Sequence, residues 1–433
     1  MSMKKFYLIV ALAFCAVLFS SCREDNIDSV TFYEIKQYQP YLGETWCHDY
    51  DFEAGNQYLL NKYNPEVGGA CSAFRNGHFH GRNLDWYIRD YAMLVIHLPA
   101  TEHRFASVGV VSSYAIVNSA MIASGVVPDS IRDILPIFTT DGINENGVAV
   151  NVNIVLKECI KDEAGNVLWQ RPGYIPTTGN GSSHPISQSC IPRYILDNCS
   201  SVDDAIAKVS ALNVVEAERG TLQYECLHFF VSDPNKSAVF EWYNNHFVVT
   251  EYTYNADTKD FRSPKGSPAI MTNFFNYKLE DVYNPSENWY EALYNIHPYA
   301  MGMERFDILA NGLSDVKTLK QAEDHISKVN YSGYYTNTEE VGYWYSENAG
   351  YYGPYTYYPG WEGRIALWNG IMPQSIESYK SLDYQMQNCI NNPDNDTWYT
   401  EFSIVYNLQT CSFVIRPQEG YYSPDWFNFT LYR

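Results

Sequence analysis

The sequence predicts an α+β fold whose sheets are built from antiparallel strands. Asn-Gly at 76–77 separates two strand-like runs, and this dipeptide is the strongest short-range signal for a two-residue hairpin. Three more strand-like runs between 226 and 252 are joined by short turns, which is the pattern of an antiparallel meander. Helical periodicity at about 185–198, 201–211 and 317–329 adds helices to these sheets.

Residues 1–21 have the composition of a secretory signal peptide. A basic start precedes an apolar run at 6–19, which is too short to span a bilayer as a mature helix. Cys22 follows small residues, which predicts a lipoprotein acylated on that cysteine, although Phe19 departs from the usual lipobox and leaves simple secretion open. We therefore expect an exported protein, a Gram-negative lipoprotein of the periplasm or outer membrane, that meets the membrane only through its lipid anchor.

Composition and charge are those of a large exported globular enzyme. The chain has 433 residues, of which 46% are hydrophobic and 16% aromatic, enough for a sizeable core. Its net charge of −21 argues against nucleic acid as a partner, because phosphate contact needs clustered Lys and Arg. The oligomeric state stays open, and a homo-oligomer is compatible with the sequence.

Ten cysteines need an explanation. Cys15 leaves with the signal peptide, Cys22 would carry the lipid, and Cys71 must stay unpaired if it is a nucleophile. An oxidising compartment allows disulfides among the rest, but their number is odd. These seven are Cys47, Cys159, Cys190, Cys199, Cys226, Cys389 and Cys411. No CxxC pair supports zinc, and His78 and His80 are predicted to be ordinary residues on one strand face, so the residues themselves predict no metal site.

The predicted hairpin brings a thiol beside a guanidinium. If Asn76 and Gly77 form the turn, the pairing continues back until Cys71 lies opposite Arg82, with Cβ atoms about 5 Å apart. A neighbouring cation lowers the pKa of a cysteine from about 8.5 and favours the reactive thiolate. Asp85 follows a short step along the same strand. The alternative is a buried structural cysteine on an ordinary hairpin.

Two glycines and an alanine precede Cys71, which suits a site of backbone cleavage. Cleavage between Ala70 and Cys71 would give Cys71 a free α-amino group, whose pKa is about 7.7–8.0. Such an amine can act as the base for its own side chain. Asp85 could then hold the amine in position.

Cys71, the short hairpin and Gly-Arg-Asn-Leu-Asp-Trp at 81–86 resemble the choloylglycine hydrolases, the N-terminal-nucleophile (Ntn) amidases that include bile salt hydrolases and penicillin V acylases. Acid ceramidase and N-acylethanolamine acid amidase have a similar opening. The resemblance implies a four-layer αββα sandwich with two antiparallel sheets, formed by a catalytic domain at 71–433. Residues 22–70 would then be a lipidated tether or pro-segment.

Three later motifs match this family in the same order. Asn-Glu-Asn-Gly at 144–147 and the strand after it resemble a family turn and strand, where the residue matching Asn153 helps to build the oxyanion hole. Penicillin V acylases tend to carry tyrosine there, so Asn153 favours the bile-salt-hydrolase branch. Thr-Asn after an apolar strand resembles the motif that gives Asn273 an oxyanion role, and Glu-Arg-Phe matches Arg305 to an arginine of the catalytic network.

The resemblance implies hydrolysis of a small-molecule N-acyl amide, such as a conjugated bile salt, without a cofactor. The Cys71 thiolate would attack the amide carbonyl, and Arg82 and Asp85 would tune and orient it. Residues 331–361 contain ten tyrosines and two tryptophans and match nothing in the family. They are either an aromatic wall or lid over an acyl group, a carbohydrate-stacking surface, or an insertion that packs on its own domain.

Three other functions remain open on the sequence. One is a different acyl preference, for penicillin V, a fatty-acid amide or an acyl-homoserine lactone. Another is a non-catalytic surface lipoprotein that binds glycans through its aromatic segment at 331–361. The third is a papain-like Cys-His protease, for which the usual sequence around the cysteine is missing.

Overall fold

A computed structural model describes the following residues: 27–28, 30–33, 42–61, 71–86, 92–112, 121, 124–155, 160–161, 167–168, 177–182, 184–216, 218–219, 223–224, 226–287, 289–296, 302–329, 399–417 and 426–431. The predicted signal peptide at 1–21, Cys22, Ala70 and the aromatic segment at 331–361 lie outside the described residues.

The strands, in chain order, are β1 (Thr31–Tyr33), β2 (Leu42–Trp46), β3 (Ser72–Asn76), β4 (Phe79–Trp86), β5 (Met93–Leu98), β6 (Ser107–Val111), β7 (Thr139–Asn144), β8 (Ala149–Val155), β9 (Ile160–Lys161), β10 (Val167–Leu168), β11 (Pro185–Ser187), β12 (Asn213–Val215), β13 (Glu218–Arg219), β14 (Gln223–Tyr224), β15 (Cys226–Ser232), β16 (Lys236–Tyr243), β17 (His246–Asn255), β18 (Asp260–Arg262), β19 (Ile270–Met271), β20 (Tyr399–Asn407), β21 (Ser412–Pro417) and β22 (Phe427–Thr430).

The α-helices are α1 (Phe52–Asn61), α2 (Asp129–Arg132), α3 (Ile191–Asn198), α4 (Val202–Ser210), α5 (Asn276–Glu280), α6 (Trp289–Ile296), α7 (Met303–Ala310) and α8 (Leu319–Ser327). Short 3-10 helices cover Leu135–Phe138, Gln188–Cys190 and Leu313–Asp315. The predicted meander between 226 and 252 is present as β15, β16 and β17, paired antiparallel.

Two large sheets carry the fold. The first has ten strands in the order β1-β2-β5-β6-β7-β8-β15-β16-β17-β18, and the second has six in the order β19-β3-β4-β20-β21-β22. Their pairs are antiparallel except that β2 runs parallel to β5. The expectation of purely antiparallel sheets is therefore wrong at this one pair. Parallel neighbours need a long crossover connection, and here the chain from β2 to β5 passes through α1 and through the β3–β4 hairpin of the other sheet.

The two sheets face each other across buried apolar side chains, and helices cover their outer faces. Side chains of the six-stranded sheet, such as Phe402 and Ile404, pack with Val108 and Ile143 of the ten-stranded sheet. On one outer face α3 packs against β7 and β8, and on the other α8 packs against β4 and β20. The order helix, sheet, sheet, helix is the αββα sandwich that the sequence predicted.

The β3–β4 hairpin has a different register from the predicted one. Its turn residues are Gly77 and His78, with Asn76 paired to Phe79 at the strand end. Asn76 stays in β3 because its buried side chain donates hydrogen bonds to Leu313 O at 2.7 Å and Val316 O at 3.3 Å. His78 therefore lies in the turn and does not share a strand face with His80, contrary to the expectation from the sequence.

Close packing of Phe74 on Gly81 holds this register. Phe74 lies directly opposite Gly81, and a Cβ added at Gly81 would come within 2.3 Å of the Phe74 ring. Arg82 consequently pairs with Ala73, not with Cys71 as predicted. Because the difference is two residues, the side chains that lie in β3 and β4 keep the faces that were predicted for them.

Candidate active site

Cys71 lies directly before β3 and is completely buried. Although Arg82 is paired with Ala73, its Nη2 atom lies 3.6 Å from the Cys71 sulfur and donates to it. Residues two apart on a strand share a face, so Arg82 reaches Cys71 as a diagonal neighbour. The predicted contact between thiol and guanidinium is therefore present, although Arg82 is paired with Ala73 and not with Cys71.

The thiol of Cys71 is not activated by this contact alone. Arg82 and Arg305 both act to lower its pKa, but burial outweighs them and raises the pKa of Cys71 to about 11. The expected lowering of the pKa is therefore wrong for the uncleaved chain. Desolvation of a fully buried thiolate raises the pKa by more than the attraction of the nearby cations lowers it. The thiol is protonated near neutral pH and needs a base.

Arg82 is itself held by β7 and β8 of the facing sheet. Its Nη2 atom donates to Val152 O at 2.9 Å, and Nη1 lies 3.3 Å from Asp141 Oδ2. Burial raises the pKa of Asp141 to about 6, against the influence of Arg82. Sequence reasoning missed Asp141, although it stands just before the turn motif at 144–147. The pair joins the two sheets directly beside Cys71.

Asp85 lies in a buried polar cluster. Its Oδ1 atom accepts a hydrogen bond from the Thr400 hydroxyl at 2.6 Å, and its Oδ2 atom lies 3.6 Å from Arg305 Nη1. The Asp85 main-chain N–H donates to the Cys71 sulfur. Burial raises the pKa of the Asp85 carboxyl to about 7, while Arg305, Thr400 and Arg82 lower it. Thr400, on β20, is a second residue that the sequence analysis gave no role.

Arg305 on α7 connects three of the candidate residues, which are Asp85, Cys71 and Asn273. Its Nη1 atom donates to the main-chain oxygen of Cys71 at 2.6 Å, and its Nη2 atom donates to Asn273 Oδ1 at 2.6 Å. The space for the guanidinium depends on Gly302, since a Cβ there would come within 2.6 Å of Arg305 Nη2. Gly302 also has a φ of 84°, a backbone conformation that favours glycine.

Asn153 and Asn273 join the two sheets reciprocally. Asn153 Nδ2 donates to Thr272 O at 3.2 Å, and Asn273 Nδ2 donates to Ile154 O at 2.6 Å. Asn153 lies on β8 of the ten-stranded sheet, whereas Asn273 follows β19 of the six-stranded sheet. Each amide nitrogen carries a second N–H beyond the one used here. The structure thus brings Cys71, Arg82, Asp85, Asn153, Asn273 and Arg305 into one region, whereas Cys22 and Ala70 lie outside the described residues.

A model of a known protein family matches much of this chain. The family model for linear amide C-N hydrolases, choloylglycine hydrolase family, matches residues 72–308, more than half of the chain. The chain belongs to the choloylglycine hydrolase family. It is therefore an enzyme that acts on linear amide carbon–nitrogen bonds, as the sequence predicted. No curated protein matches it.

Solved structures similar to this chain include two kinds of enzyme. Penicillin V acylase from Agrobacterium tumefaciens shares 15% identity over 85% of this chain and 80% of that chain, with a TM-score of 0.32. A mutant of conjugated bile acid hydrolase from Clostridium perfringens shares 14% over 84% and 92%, with a TM-score of 0.38. Another variant of that hydrolase shares 14% over 83% and 92%, with a TM-score of 0.39.

A directional chain of hydrogen bonds orients Asn153. The Thr272 carbonyl can only accept, so the Asn153 amide nitrogen points toward it and Asn153 Oδ1 accepts from Asn151 Nδ2 at 3.1 Å. Asn151 Oδ1 must then accept from His80 Nε2 at 2.6 Å, which leaves His80 Nδ1 to accept from the Ser232 hydroxyl at 2.8 Å. Burial lowers the pKa of His80 to about 3, so the imidazole is neutral.

Metal-binding clusters and membrane-spanning helices are both absent from the part of the chain that the structure describes. Among those residues, no group of three or more His, Cys, Asp and Glu side chains is arranged to hold a metal ion. No helix within the described ranges is long and apolar enough to cross a membrane. Cys47, Cys190 and Cys199 are buried free thiols.

Proposed function

We propose that Cys71 is the nucleophile of this hydrolase and acts after the bond between Ala70 and Cys71 is cut. The observation that carries the proposal is how Cys71 is held: Arg305 binds its carbonyl oxygen and Arg82 binds its sulfur, while burial keeps the thiol protonated. A buried thiol with a pKa near 11 needs a base next to it. The α-amino group that cleavage would release, with a pKa of about 7.7–8.0, meets that need.

The reaction then runs in two halves. The α-amino group of Cys71 takes the thiol proton, and the thiolate attacks the amide carbonyl to form a tetrahedral oxyanion, which the second N–H groups of Asn153 and Asn273 stabilise. The carbon–nitrogen bond breaks as the α-ammonium group returns the proton to the leaving amine. Water, deprotonated by the same amine, hydrolyses the thioester and releases the acid. Asp85 would hold the α-amino group of Cys71, while Arg305 holds its carbonyl end through the main-chain oxygen.

The proposed substrate is an N-acyl amide such as a conjugated bile salt. The family description, which names choloylglycine, supports this choice, as does the asparagine at 153. Hydrolysis of penicillin V, of a fatty-acid amide or of an acyl-homoserine lactone in preference to bile salts would assign a different acyl specificity to the same site.

The proposed location is the envelope of a Gram-negative bacterium. Residues 1–21 would direct export, and Cys22 would carry the lipid that anchors the enzyme. Metabolic labelling with a fatty acid, compared between the natural chain and Cys22→Ala, measures this directly. Equal labelling of both chains would rule out acylation at Cys22.

The nucleophile is tested by terminal sequencing and intact mass of the purified protein, followed by amine release from conjugated bile salts. We expect a new amino terminus at Cys71 and complete loss of turnover in Cys71→Ala. Cys190→Ala, which removes another fully buried thiol, is the matched control and should retain turnover. A chain that keeps the peptide bond before Cys71, or a Cys71→Ala enzyme with full activity, would contradict the proposal.

A further inference from the structure

We propose that the segment 27–61, which precedes the cleavage site, stays bound after cleavage as a non-covalent second chain of the mature enzyme. The inference rests on the proposed cleavage before Cys71. A discarded pro-segment would pack on the finished domain, but this segment supplies parts of the domain itself: β1, β2 and α1. Its contacts to the rest of the molecule are of three kinds.

Strand pairing is the first kind of contact. β2 pairs parallel with β5 from Leu42 opposite Met93 to Trp46 opposite His97, and β1 continues the sheet beyond β2. The main chain of Cys47 extends the pairing by donating to His97 O at 2.9 Å. Loss of the segment would turn β5, whose side chains are all buried, into an exposed sheet edge. Such an edge is a template for aggregation.

Shared core packing is the second kind. Leu42 is fully buried in the core between the two sheets, and Leu59 is buried in a second cluster together with Leu135 and Ile137. Tyr33 packs edge-on against Phe429 of the six-stranded sheet, with ring centroids 5.6 Å apart. The segment therefore contacts both sheets, and its departure would open two hydrophobic cores to water.

The third kind of contact is made by helix α1, which packs closely against the rest of the molecule and forms specific hydrogen bonds with it. Gly55 faces Ile137 so closely that an added Cβ would lie 2.9 Å from two carbons of that side chain. The neighbouring Asn56 side chain donates to Pro185 O at 2.9 Å and accepts from Ser187 N at 2.9 Å. Asn56 is buried. If the helix leaves, both hydrogen bonds break, and Pro185 O and Ser187 N lose this partner.

No covalent link is needed for this association. Cys47 was a candidate for a disulfide to the catalytic chain, but it is a free thiol whose sulfur donates to Asp49 O at 3.1 Å. Hydrogen bonds supplement the apolar contacts, for example between His97 Nε2 and Glu44 Oε1 at 2.7 Å and from Arg104 Nη2 to His48 O at 2.6 Å. If Cys22 is acylated, the lipid is on the small chain, and this interface keeps the catalytic chain on the membrane.

The full chain, purified under reducing conditions, tests the proposal. Denaturing electrophoresis should separate two polypeptides, the larger beginning at Cys71. Native mass spectrometry and size exclusion should show both in one particle at a ratio of one to one, with amidase activity in the same fraction. A folded, active catalytic chain that elutes without the smaller chain would overturn the proposal.

A natural chain that stays uncleaved would refute the proposed nucleophile, and a cut introduced by a protease then tests the docking separately. In Cys71→Ala, a site for a sequence-specific protease placed within 62–70 allows the chain to be cut without self-processing, with the cut verified on a denaturing gel. Docking predicts that both pieces stay in one particle after the cut. Their separation would overturn the docking alone.

Two substitutions on neighbouring positions of α1 locate the contact. Gly55→Leu should lower the urea concentration at which the two chains separate, because its side chain has no space beside Ile137. Ala54→Leu on the exposed face is the matched control and should leave that concentration unchanged. If Gly55→Leu does not yield folded protein, Asn56→Ala removes the hydrogen bonds without adding bulk. Identical dissociation curves for Asn56→Ala and the natural chain would contradict the role of this helix face.

Discussion

The Arg305 guanidinium donates a hydrogen bond of 2.6 Å to the main-chain oxygen of Cys71, although 234 residues separate them in the chain. A hydrogen bond from a cation to a buried carbonyl is among the stronger ones that proteins form. It holds the backbone of Cys71, whereas the contact to the sulfur comes from Arg82. The two arginines therefore have different roles: Arg305 positions the backbone of Cys71, and Arg82 contacts its sulfur.

Removal of Arg305 should damage both stability and activity. Arg305→Ala leaves the Asp85 carboxyl buried without this cation, and breaking a buried ion pair typically costs about 3–5 kcal/mol. Arg305→Lys keeps the charge but lacks the fork that reaches Cys71 O and Asn273 Oδ1 together. We expect it to recover part of the free energy of unfolding, measured in urea, and little of kcat. Lys320→Ala, an exposed charge, is the control; equal unfolding curves for Arg305→Ala and the natural chain would contradict this reasoning.

The oxyanion role is tested by shortening each asparagine. Asn273→Ala and Asn153→Ala should each lower kcat by about 10²–10³, the usual cost of one oxyanion donor. KM should change little, because the donor acts mainly in the transition state. Asn311→Ala, at an exposed helix end, serves as the control. A variant that raised KM and left kcat unchanged would assign the residue to substrate binding.

Protonation of Asp85 should make activity fall at acidic pH. The α-amino base of the proposed mechanism gives kcat/KM a first acidic limb near its own pKa of about 7.7–8.0. The ionised form of Asp85 pairs with Arg305, and burial raises the pKa of its carboxyl to about 7, so kcat/KM should fall more steeply below about pH 7. Thr400 donates to the ionised carboxylate and lowers its pKa. Thr400→Val should therefore move the onset of the steeper fall to higher pH. An acidic limb with the slope of a single ionisation in both enzymes would show that Asp85 does not titrate in this range.

The same pKa has a consequence for stability. Because the folded-state pKa of Asp85 lies above the ordinary value of 3.8, the folded protein holds this proton more tightly than the unfolded chain between about pH 4 and pH 7. The contribution of Asp85 to stability is full at low pH and is lost as the pH rises through about 7. Asp85→Asn should therefore weaken the dependence of the urea midpoint on pH across this range. An unchanged dependence would contradict the raised pKa.

His80 should act on catalysis through Asn151 and Asn153. His80→Phe removes the N–H that fixes the Asn151 amide, and a small displacement at a reacting site can cost about 10- to 100-fold in rate. We expect kcat to fall with KM little changed, and His80→Gln, which keeps a donor, to recover part of the loss. The effect should not vary between pH 5 and 9, because the pKa of His80 is about 3. A loss confined to one end of that pH range would point to a titrating His80.

Strand parity explains why the thiol and the guanidinium could be paired from the sequence. Cys71 and Arg82 lie on one face in both the predicted and the observed register, so an error of two residues left them in contact. The turn position was wrong because Asn76 is held by Leu313 and Val316, which are distant in the chain. Asp141 and Thr400 were missed for a related reason: they reach the site only because β7 lies beside β8 and β20 lies beside β4.

The amino-acid sequence by itself determined which residue types are available, which of them share a strand face, and which motifs follow one another, because these depend on local backbone geometry and side-chain chemistry. Only the tertiary structure decided the pKa direction of Cys71 and the inclusion of β2 in the main sheet. Desolvation depends on every group that packs around an atom, and strand pairing depends on which edge is open. Both are properties of segments brought together from distant parts of the chain.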